Sequence, residues 1–391
     1  MKYQLASSSW DDQEIQAIYD IVASGQYSMN KKVAEFEKEF AAMFNSKYAV
    51  MVNSGSSANL IMVGALFFMK NNKLQAGDEI IVPAVSWATT YAPLQQYGLH
   101  VKFVDIDIDS LNYDLQKLSE AISDKTRAIF AVNLLGNPND FNSIKEIIAG
   151  KNIIIIEDNC ESMGAKLDGK QAGSFGLMGS FSCFHSHHIV TMEGGVVVTD
   201  NEELYHILLS LRSHGWTRHL PQENLLCNKG SNDFEEKFRF ILPGYNVRPV
   251  EMCGAIGLKQ LEKLPNIIAM RRKNAEIFQE LFANHPFFAI QKEIGESSWF
   301  GFALRLKNDT SVTRDQVINK LAESGVETRP IVAGNIAKKE MVAKYFDYTI
   351  YGNLHNADLL DNNGFYVGNH SVDIKNQIHY LYDILTSLCK K

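Results

Sequence analysis

Short apolar runs alternate with amphipathic segments over the first 200 or so residues. Each apolar run is about five residues long and predicts a strand; the runs are residues 48–52, 79–83, 101–105, 128–132, 153–157, 179–184 and 195–199. Helical patterns follow the first two of them, at 58–69 and 89–98. Unbroken apolar strands separated by helices indicate a mostly parallel sheet that is covered on both faces.

The pattern changes in the second half of the chain. Residues 250–283 predict one long amphipathic helix or a pair of helices, ending near His285 and Pro286. Beyond it, residues 300–306 predict a strand and residues 311–324 a helix, in which Thr313 and Gln316 are spaced as a capping box. We therefore expect a smaller α+β domain after the helix.

Length and composition limit the class of protein. A chain of 391 residues exceeds one ordinary core, so we expect a large domain over residues 1–265 and a small one over 266–391. The net charge of −7 argues against nucleic-acid binding, and no apolar stretch reaches the length of a membrane span. Five scattered cysteines and an N-terminus without a signal-peptide pattern favour a cytoplasmic protein.

Polar residues follow several predicted strands, where ligands of a parallel sheet bind. Gly55 and Ser56 begin a helix after the first strand, so their backbone amides and the helix dipole favour an anion such as phosphate. An ordinary glycine turn with a serine cap is the alternative. Trp87, after the second strand, can stack on a flat ring or can simply fill a gap between helix and sheet.

A carboxylate at the end of a third strand completes this pattern. Glu157 and Asp158 follow the apolar residues 153–156, and a carboxylate that emerges from a buried strand needs a positive partner such as a metal, an arginine or a protonated ring nitrogen. A phosphate cradle, a flat-ring platform and an acid for a pyridinium nitrogen are together what pyridoxal phosphate (PLP) requires. PLP enzymes normally add a Schiff-base lysine, yet no lysine lies between Lys170 and Lys229, and His187 and His188 stand in the expected place.

Six stretches of the chain resemble one family along nearly its whole length. They are SGSSANL (54–60), IIVPAVSWATT (80–90), NLLGNP (133–138), IIIIEDNCESMGA (153–165), FHSHHIVTMEGG (184–195) and GYNVRPVEMCGAIGLKQL (244–261). This ordered set resembles the DegT/DnrJ/EryC1/StrS sugar aminotransferases and dehydratases. The resemblance implies the aspartate aminotransferase-like α/β fold of PLP enzymes (fold type I), with a mostly parallel central sheet.

The resemblance also implies roles for individual residues. His187 is the expected catalytic base in place of the lysine, and His188 is the fallback, because most members have GEGG where this chain has Met192 before its Glu-Gly-Gly. The expected cofactor-binding residues are Gly55, Ser56, Trp87, Asp158, Glu161, Ser182 and Asn246, and the expected substrate-binding residues are His214 and Arg329. Asn246 is expected to reach the neighbouring subunit's site, which implies a homodimer.

Histidine instead of lysine implies the dehydratase branch of this family. Without a tether the cofactor can rest as pyridoxamine phosphate (PMP), and imidazole suits proton transfer near neutrality. The resemblance implies removal of the C3 hydroxyl from a nucleotide-linked 4-keto-6-deoxy hexose, namely GDP-4-keto-6-deoxy-D-mannose. It further implies L-glutamate as amino donor, release of ammonia, and a place in GDP-colitose and O-antigen lipopolysaccharide biosynthesis.

Other functions are set against this interpretation. On a strand, His185 and His187 share a face and His188 does not, so the histidines supply two metal ligands where zinc usually needs three or four. An ordinary sugar aminotransferase needs the missing lysine. The iron–sulfur type of 3-dehydratase needs a cysteine cluster, and the relevant region offers Cys227 alone. A non-catalytic PLP-binding relic stays open.

Overall fold

The computed structural model describes residues 1–307 and 312–389. Helices in these ranges are α1 (Asp12–Ser24), α2 (Lys31–Met43), α3 (Gly55–Ala65), α4 (Ala88–Gln96), α5 (Leu115–Ala121), α6 (Phe141–Ile147), α7 (Glu202–Arg212), α8 (Asp233–Glu236), α9 (Glu251–Phe282), α10 (Arg314–Glu323), α11 (Glu340–Tyr345), α12 (His355–Asn363) and α13 (Lys375–Cys389). Short 3₁₀ turns lie at Leu134–Gly136 and Ile336–Lys338. None of these helices has the length and apolar character needed to cross a membrane.

Strands in the same ranges form a large, a small and a two-stranded sheet. They are β1 (Tyr48–Val52), β2 (Glu79–Pro83), β3 (His100–Val104), β4 (Thr126–Val132), β5 (Ile154–Asp158), β6 (Lys166–Leu167), β7 (Lys170–Gln171), β8 (Met178–Ser182), β9 (Gly195–Thr199), β10 (Phe288–Ile290), β11 (Gly301–Leu306), β12 (Thr328–Arg329), β13 (Tyr348–Ile350) and β14 (Gly364–Gly368). The predicted strands 48–52, 79–83 and 195–199 are confirmed with their bounds.

The large sheet has the strand order β1-β9-β8-β5-β4-β2-β3-β13. Neighbouring strands are parallel, except that β9 runs antiparallel to both β1 and β8. Its apolar strands are buried on both faces, as the unbroken runs predicted. The carboxyl ends of β1, β2, β4, β5 and β8 therefore meet along one edge.

Helix α9 joins the large sheet to the small antiparallel sheet, whose order is β10-β11-β14-β12. It is a single helix of 32 residues. The small sheet packs on α9, α10 and α13 around a core of its own, which includes Tyr3 from the N-terminus. Strand β13, which lies between β12 and β14 in the chain, pairs with β3 at the edge of the large sheet. A domain division at residue 265 falls inside α9 and stays a prediction.

The helix predicted over residues 311–324 begins at Arg314, and its capping box at Thr313 and Gln316 is confirmed. Ser311 lies outside the described residues. Helices α3 and α4 begin before the predicted residues 58 and 89 and end at Ala65 and Gln96. This earlier start matters, because it places Gly55 in the first turn of α3.

Candidate active site

A cavity of about 890 Å³ opens along the carboxyl edge of the large sheet, facing the small sheet. Its volume lies in the range of small-molecule and cofactor sites. Eight residues predicted as site residues line it together: Gly55, Ser56, Trp87, Asp158, Glu161, Ser182, His187 and Arg329. The edge of a parallel sheet therefore gathers side chains that are more than 250 residues apart in the chain.

Asp158 ends β5 at the floor of this cavity and is 5% exposed. Its Oδ2 accepts hydrogen bonds from Asn59 Nδ2 at 2.8 Å and Thr90 Oγ1 at 2.7 Å, and its Oδ1 accepts from the Cys160 amide at 3.1 Å. Asn59 is itself fixed by Ser180 Oγ, which donates to Asn59 Oδ1 at 2.6 Å. These neutral donors hold a charged carboxylate without cancelling its charge, so it can still bind a cation from the cavity.

The N-terminus of α3 forms a second wall of the cavity. Ser54 caps this helix by accepting a hydrogen bond from the Ser57 amide. The next residue, Gly55, packs against β8 so closely that a Cβ at this position would lie 2.6 Å from Ser182 Cβ. Only glycine fits this contact. Ser56 Oγ lies 2.7 Å from Thr89 Oγ1. Amides of a first helical turn together with serine hydroxyls make a favourable anion site.

Trp87 occupies the N-cap position of α4 without a capping side-chain hydrogen bond, and it is 58% exposed although it lines the cavity. A large indole that leaves more than half of its surface uncovered fills no gap between helix and sheet. The alternative of a structural plug is therefore wrong, and the ring face is available to a flat ligand.

His187 and His188 point to different environments within the loop between β8 and β9. His187 lines the cavity, whereas His188 is 1% exposed and its Nε2 lies 3.1 Å from the Ser298 carbonyl oxygen. His187 Nδ1 is buried without a hydrogen-bond partner, so Nε2 is the ring nitrogen that the cavity can reach. Burial, followed by the charge of Arg271, lowers the pKa of His187 to about 4, which leaves the imidazole neutral at physiological pH.

Glu161 lies beside Asp158 on the same edge. Its Oε2 accepts from the Leu135 amide at 3.0 Å. Burial raises its pKa to about 7, and the nearby charge of Asp158 contributes to the rise. The cavity thus holds a carboxyl group whose pKa is raised towards neutrality directly beside a second carboxyl group, an arrangement that is common in catalytic sites.

Two predicted site residues, Asn246 and His214, lie outside this cavity. Asn246 is exposed, and its Oδ1 accepts from Arg248 Nε at 2.9 Å. His214 packs on Trp216 at 4.6 Å between ring centroids, and the guanidinium groups of Arg218 and Arg248 lie 5.9 and 5.7 Å from the same indole. We call these residues the Trp216 cluster. It is a cationic and aromatic surface, separate from the cavity of its own chain.

The residues of the cavity fit PLP. Asp158 suits a pyridinium nitrogen, the start of α3 with Ser56 and Ser182 suits a phosphate, and Trp87 offers a ring face. A side chain at Gly55 would fill the cradle beside Ser182. By contrast, among the described residues no group of three or more His, Cys, Asp or Glu side chains is arranged to hold a metal ion, so the geometry gives no support to the zinc alternative.

Sequence reasoning missed the residues that orient these groups. Asn59 and Thr90 lie inside two of the matching stretches but carried no predicted role. Each follows a residue at the cavity edge, Gly55 or Ser86, by about one helical turn, and this spacing could have indicated that both face the same site. Phe300 and Arg271 also went unnoticed as neighbours of His187. Their contacts depend on the packing of the small domain, which no local pattern reveals.

Comparisons with known proteins agree with this geometry. Two relatives are GDP-4-keto-6-deoxy-D-mannose 3-dehydratases. The one from Yersinia pseudotuberculosis is 60% identical over 98% of this chain and 98% of its own length. The one from Escherichia coli O55:H7 is 58% identical over 98% of this chain and 100% of its own length.

Three solved structures of GDP-4-keto-6-deoxymannose-3-dehydratase match as well. One is a histidine-to-asparagine mutant with bound GDP-perosamine, and another contains a trapped PLP-glutamate geminal diamine; each is 58% identical with a TM-score of 0.97 and covers 98% of this chain and 100% of its own. The third has lysine and asparagine in place of a histidine and the serine before it; it is 57% identical, with a TM-score of 0.96, and covers 97% of this chain and 100% of its own.

These matches confirm the predicted α/β fold of PLP-dependent enzymes. The sequence profile of the DegT/DnrJ/EryC1/StrS aminotransferase family matches residues 8–371. The chain belongs to the DegT/DnrJ/EryC1/StrS aminotransferase family.

Proposed function

We propose that this chain is a PLP/PMP-dependent dehydratase that removes the C3 hydroxyl of GDP-4-keto-6-deoxy-D-mannose. L-Glutamate serves as the amino donor, and ammonia is released with the 3-deoxy product. The observation that carries the proposal is the position of His187, which lines the cavity where the family's lysine is expected, beside Asp158, Gly55 and Trp87. The relatives with this activity are 58–60% identical over nearly the whole chain.

PLP and its amine form PMP supply an electron sink that allows a proton to leave the carbon next to nitrogen and the sugar hydroxyl to depart. The side chains of this protein do the remaining work. Asp158 holds a pyridinium N–H, the amides at the start of α3 bind the phosphate, and Trp87 covers a ring face. His187 accepts a proton at Nε2 and returns it there, because its neutral imidazole is a base at physiological pH.

Histidine also decides the outcome. An imidazole cannot form the covalent tether that lysine forms, so the cofactor stays free to leave the site with its amino group. No side chain then captures the cofactor, so the 3-deoxy sugar is released as an enamine that tautomerises and is hydrolysed by water, and the nitrogen leaves as ammonia.

Support for His187 over His188 comes from two directions. His188 is buried and bound to the Ser298 carbonyl oxygen, away from the cavity. In addition, the relative's paired replacement concerns a serine followed directly by a histidine. In this loop, that pair is Ser186–His187, since His188 follows another histidine.

A homodimer with shared active sites is part of the proposal. Asn246 and the Trp216 cluster lie outside the cavity of their own chain yet offer an exposed amide and several cations. Such a surface suits the anionic groups of a cofactor or sugar nucleotide bound by a second copy. We also place the enzyme in the cytoplasm and in GDP-colitose and O-antigen lipopolysaccharide biosynthesis; the free thiols of Cys160, Cys183, Cys227 and Cys253 are in keeping with that compartment.

The test is a coupled assay on purified protein with PLP, L-glutamate and GDP-4-keto-6-deoxy-D-mannose. We expect ammonia and the 3-deoxy sugar nucleotide in equal amounts, and no product without glutamate beyond one turnover of bound PMP. An aminated sugar without ammonia would establish an aminotransferase instead, and no glutamate-dependent change in the PLP spectrum would indicate a non-catalytic relic.

Two controls sharpen this assay. His187→Asn is expected to abolish turnover, whereas His188→Asn retains it if the protein folds; the reverse result would mean that His188 is the base. A panel of other nucleotide-linked 4-keto-6-deoxy sugars tests the choice of GDP and of the manno configuration, which rests on the relatives.

A further inference from the structure

A buried cation without a counter-charge lies behind the candidate base. Arg271 of α9 is 6% exposed, and its Nη1 donates to the carbonyl oxygens of Phe300 at 2.9 Å and Trp299 at 3.4 Å. Its Nε has no partner, and the ion pairs of the described residues do not include it. Burying an unpaired charge is costly, so its position calls for a functional explanation.

The backbone that Arg271 holds is bent and fixed from several sides. Trp299 has a positive φ of 49°, which is uncommon for a residue with a side chain. The Trp299 carbonyl oxygen also accepts from Asn369 Nδ2 at 2.9 Å, and the Phe300 amide donates to the Leu135 carbonyl oxygen at 3.0 Å. The backbone that carries the Phe300 ring is thereby fixed.

That ring contacts the candidate base. The imidazole of His187 lies between Phe300, at 5.1 Å between centroids and 62°, and Phe184, at 6.1 Å and 78°. A catalytic histidine is usually oriented by a hydrogen bond from its second ring nitrogen. The Phe184 carbonyl acts on the His187 ring as a weak backbone partner, but Nδ1 has no hydrogen bond of normal geometry, so the two edge-to-face aromatic contacts help to orient the ring.

We propose that Arg271 is a positioning residue for His187: it fixes the backbone at Phe300, whose ring aims the imidazole, and it places a cation behind that imidazole. The proposal rests on the function proposed above only in naming His187 as the base.

The charges around His187 support the second half of this statement. Burial lowers the pKa of Arg271 to about 10, so the guanidinium stays charged at neutral pH. Burial and then this charge lower the pKa of His187, and the same two causes act on His188. The titratable groups that line the cavity with His187 are His185 and Glu193 in its loop and Asp158, Cys160, Glu161, Glu327, Arg329 and Tyr366 across it, while His188 and Arg271 lie behind it.

The first experiment needs no catalysis. Diethyl pyrocarbonate acylates neutral imidazole, and its rate at each histidine of the cofactor-free protein can be followed by peptide mass spectrometry between pH 5 and 8. In the unaltered protein, the acylation rate of His187, corrected for the reagent, is expected to be constant between pH 5 and pH 8. With Arg271→Met it should fall about two-fold towards pH 5, because loss of a nearby cation raises a histidine pKa by about one unit. Arg271→Lys should restore the level profile.

His185, exposed in the same loop, is the internal control, and its profile should be the same in all three proteins. A level His187 profile in Arg271→Met would overturn the proposal. Should Arg271→Met fail to fold, Phe300→Leu tests whether the Phe300 ring aims the imidazole, with the Arg271 cation still in place. It is expected to lower kcat at least ten-fold, with KM for the sugar nucleotide within two-fold and with a level His187 profile. Unchanged kcat in Phe300→Leu would refute the aiming role, whether or not the sugar is the proposed one.

Discussion

The paired carboxyl groups of the cavity make stability depend on pH in a direction that can be tested. Glu161 accepts from the Leu135 amide, and burial together with the charge of Asp158 raises its pKa from 4.5 to about 7. In the unfolded chain this carboxyl group loses its proton near its ordinary pKa. Between those two values the folded protein binds the additional proton, so folding stability must fall as pH rises through this window.

The size of the effect follows from the two pKa values. A difference of about 2.5 pH units corresponds to about 3.4 kcal/mol at 1.36 kcal/mol per unit, and partial exposure of the side chain reduces this to roughly 2 kcal/mol. The unfolding entropy of a chain of 391 residues is about 0.8 kcal/mol/K. Removing the loss of folding stability caused by ionised Glu161 should therefore raise Tm by about 2–3 °C.

The perturbation is Glu161→Gln, which keeps an oxygen for the Leu135 amide and cannot ionise. We expect the variant, freed of cofactor by dialysis, to melt about 2–3 °C above the parent at pH 8 and within about 1 °C of it at pH 5, by differential scanning fluorimetry. Glu193→Gln is the matched control, because Glu193 lines the same cavity but is exposed. An equal gain at both pH values would show that the charge of Glu161 is not what destabilises the empty site.

Three further predictions concern the cofactor and the dimer. Asp158→Asn should weaken PLP binding about 100-fold, since a buried charge pair is lost, and an unchanged Kd in a fluorescence titration would remove Asp158 from the ring nitrogen. His187→Lys should form a covalent link to PLP, seen as a mass increase after borohydride reduction, and should end ammonia release; absence of the adduct would place position 187 out of reach of the aldehyde. Mixing inactive His187→Asn with inactive Asn246→Ala subunits should restore about a quarter of the activity if Asn246 serves the partner's site, because random pairing leaves one intact site in half of the dimers. No recovery would place Asn246 in its own chain's site.

Much of the large sheet could be predicted because its signal is local. The strands 48–52, 79–83 and 195–199 are mostly apolar runs that end at a polar residue, a glycine or, in 79–83, a proline, so their limits are visible in the chain itself. Strands β6, β7, β10, β12, β13 and β14 were not predicted. They are short or lie in an antiparallel sheet that α9, α10 and α13 cover, and their pattern is too brief to stand out from the surrounding loops.

The candidate site divides along the same line. Residues at the ends of predicted strands, such as Asp158 and Ser182, could be placed on one edge because parallel strands share that edge. The polarity of a residue within a helix could not reveal that Arg271 is buried, since an arginine in a 32-residue helix normally faces water. Its environment is decided by the bent segment around Trp299, which meets it only in the folded chain.

Strand β9, which runs antiparallel to both of its neighbours in the large sheet, has an evolutionary consequence. Since β9 returns directly beside β8, the twelve residues between them form a closed loop. The Cys183 amide donates to the Gly194 carbonyl oxygen, and the Thr191 amide donates to the Cys183 carbonyl oxygen. Because these hydrogen bonds close the loop, the side chain at its tip can be replaced while the backbone of the rest of the chain is unchanged. Enzymes that aminate sugars and enzymes that deoxygenate them can then diverge by few replacements, with no redesign of the scaffold.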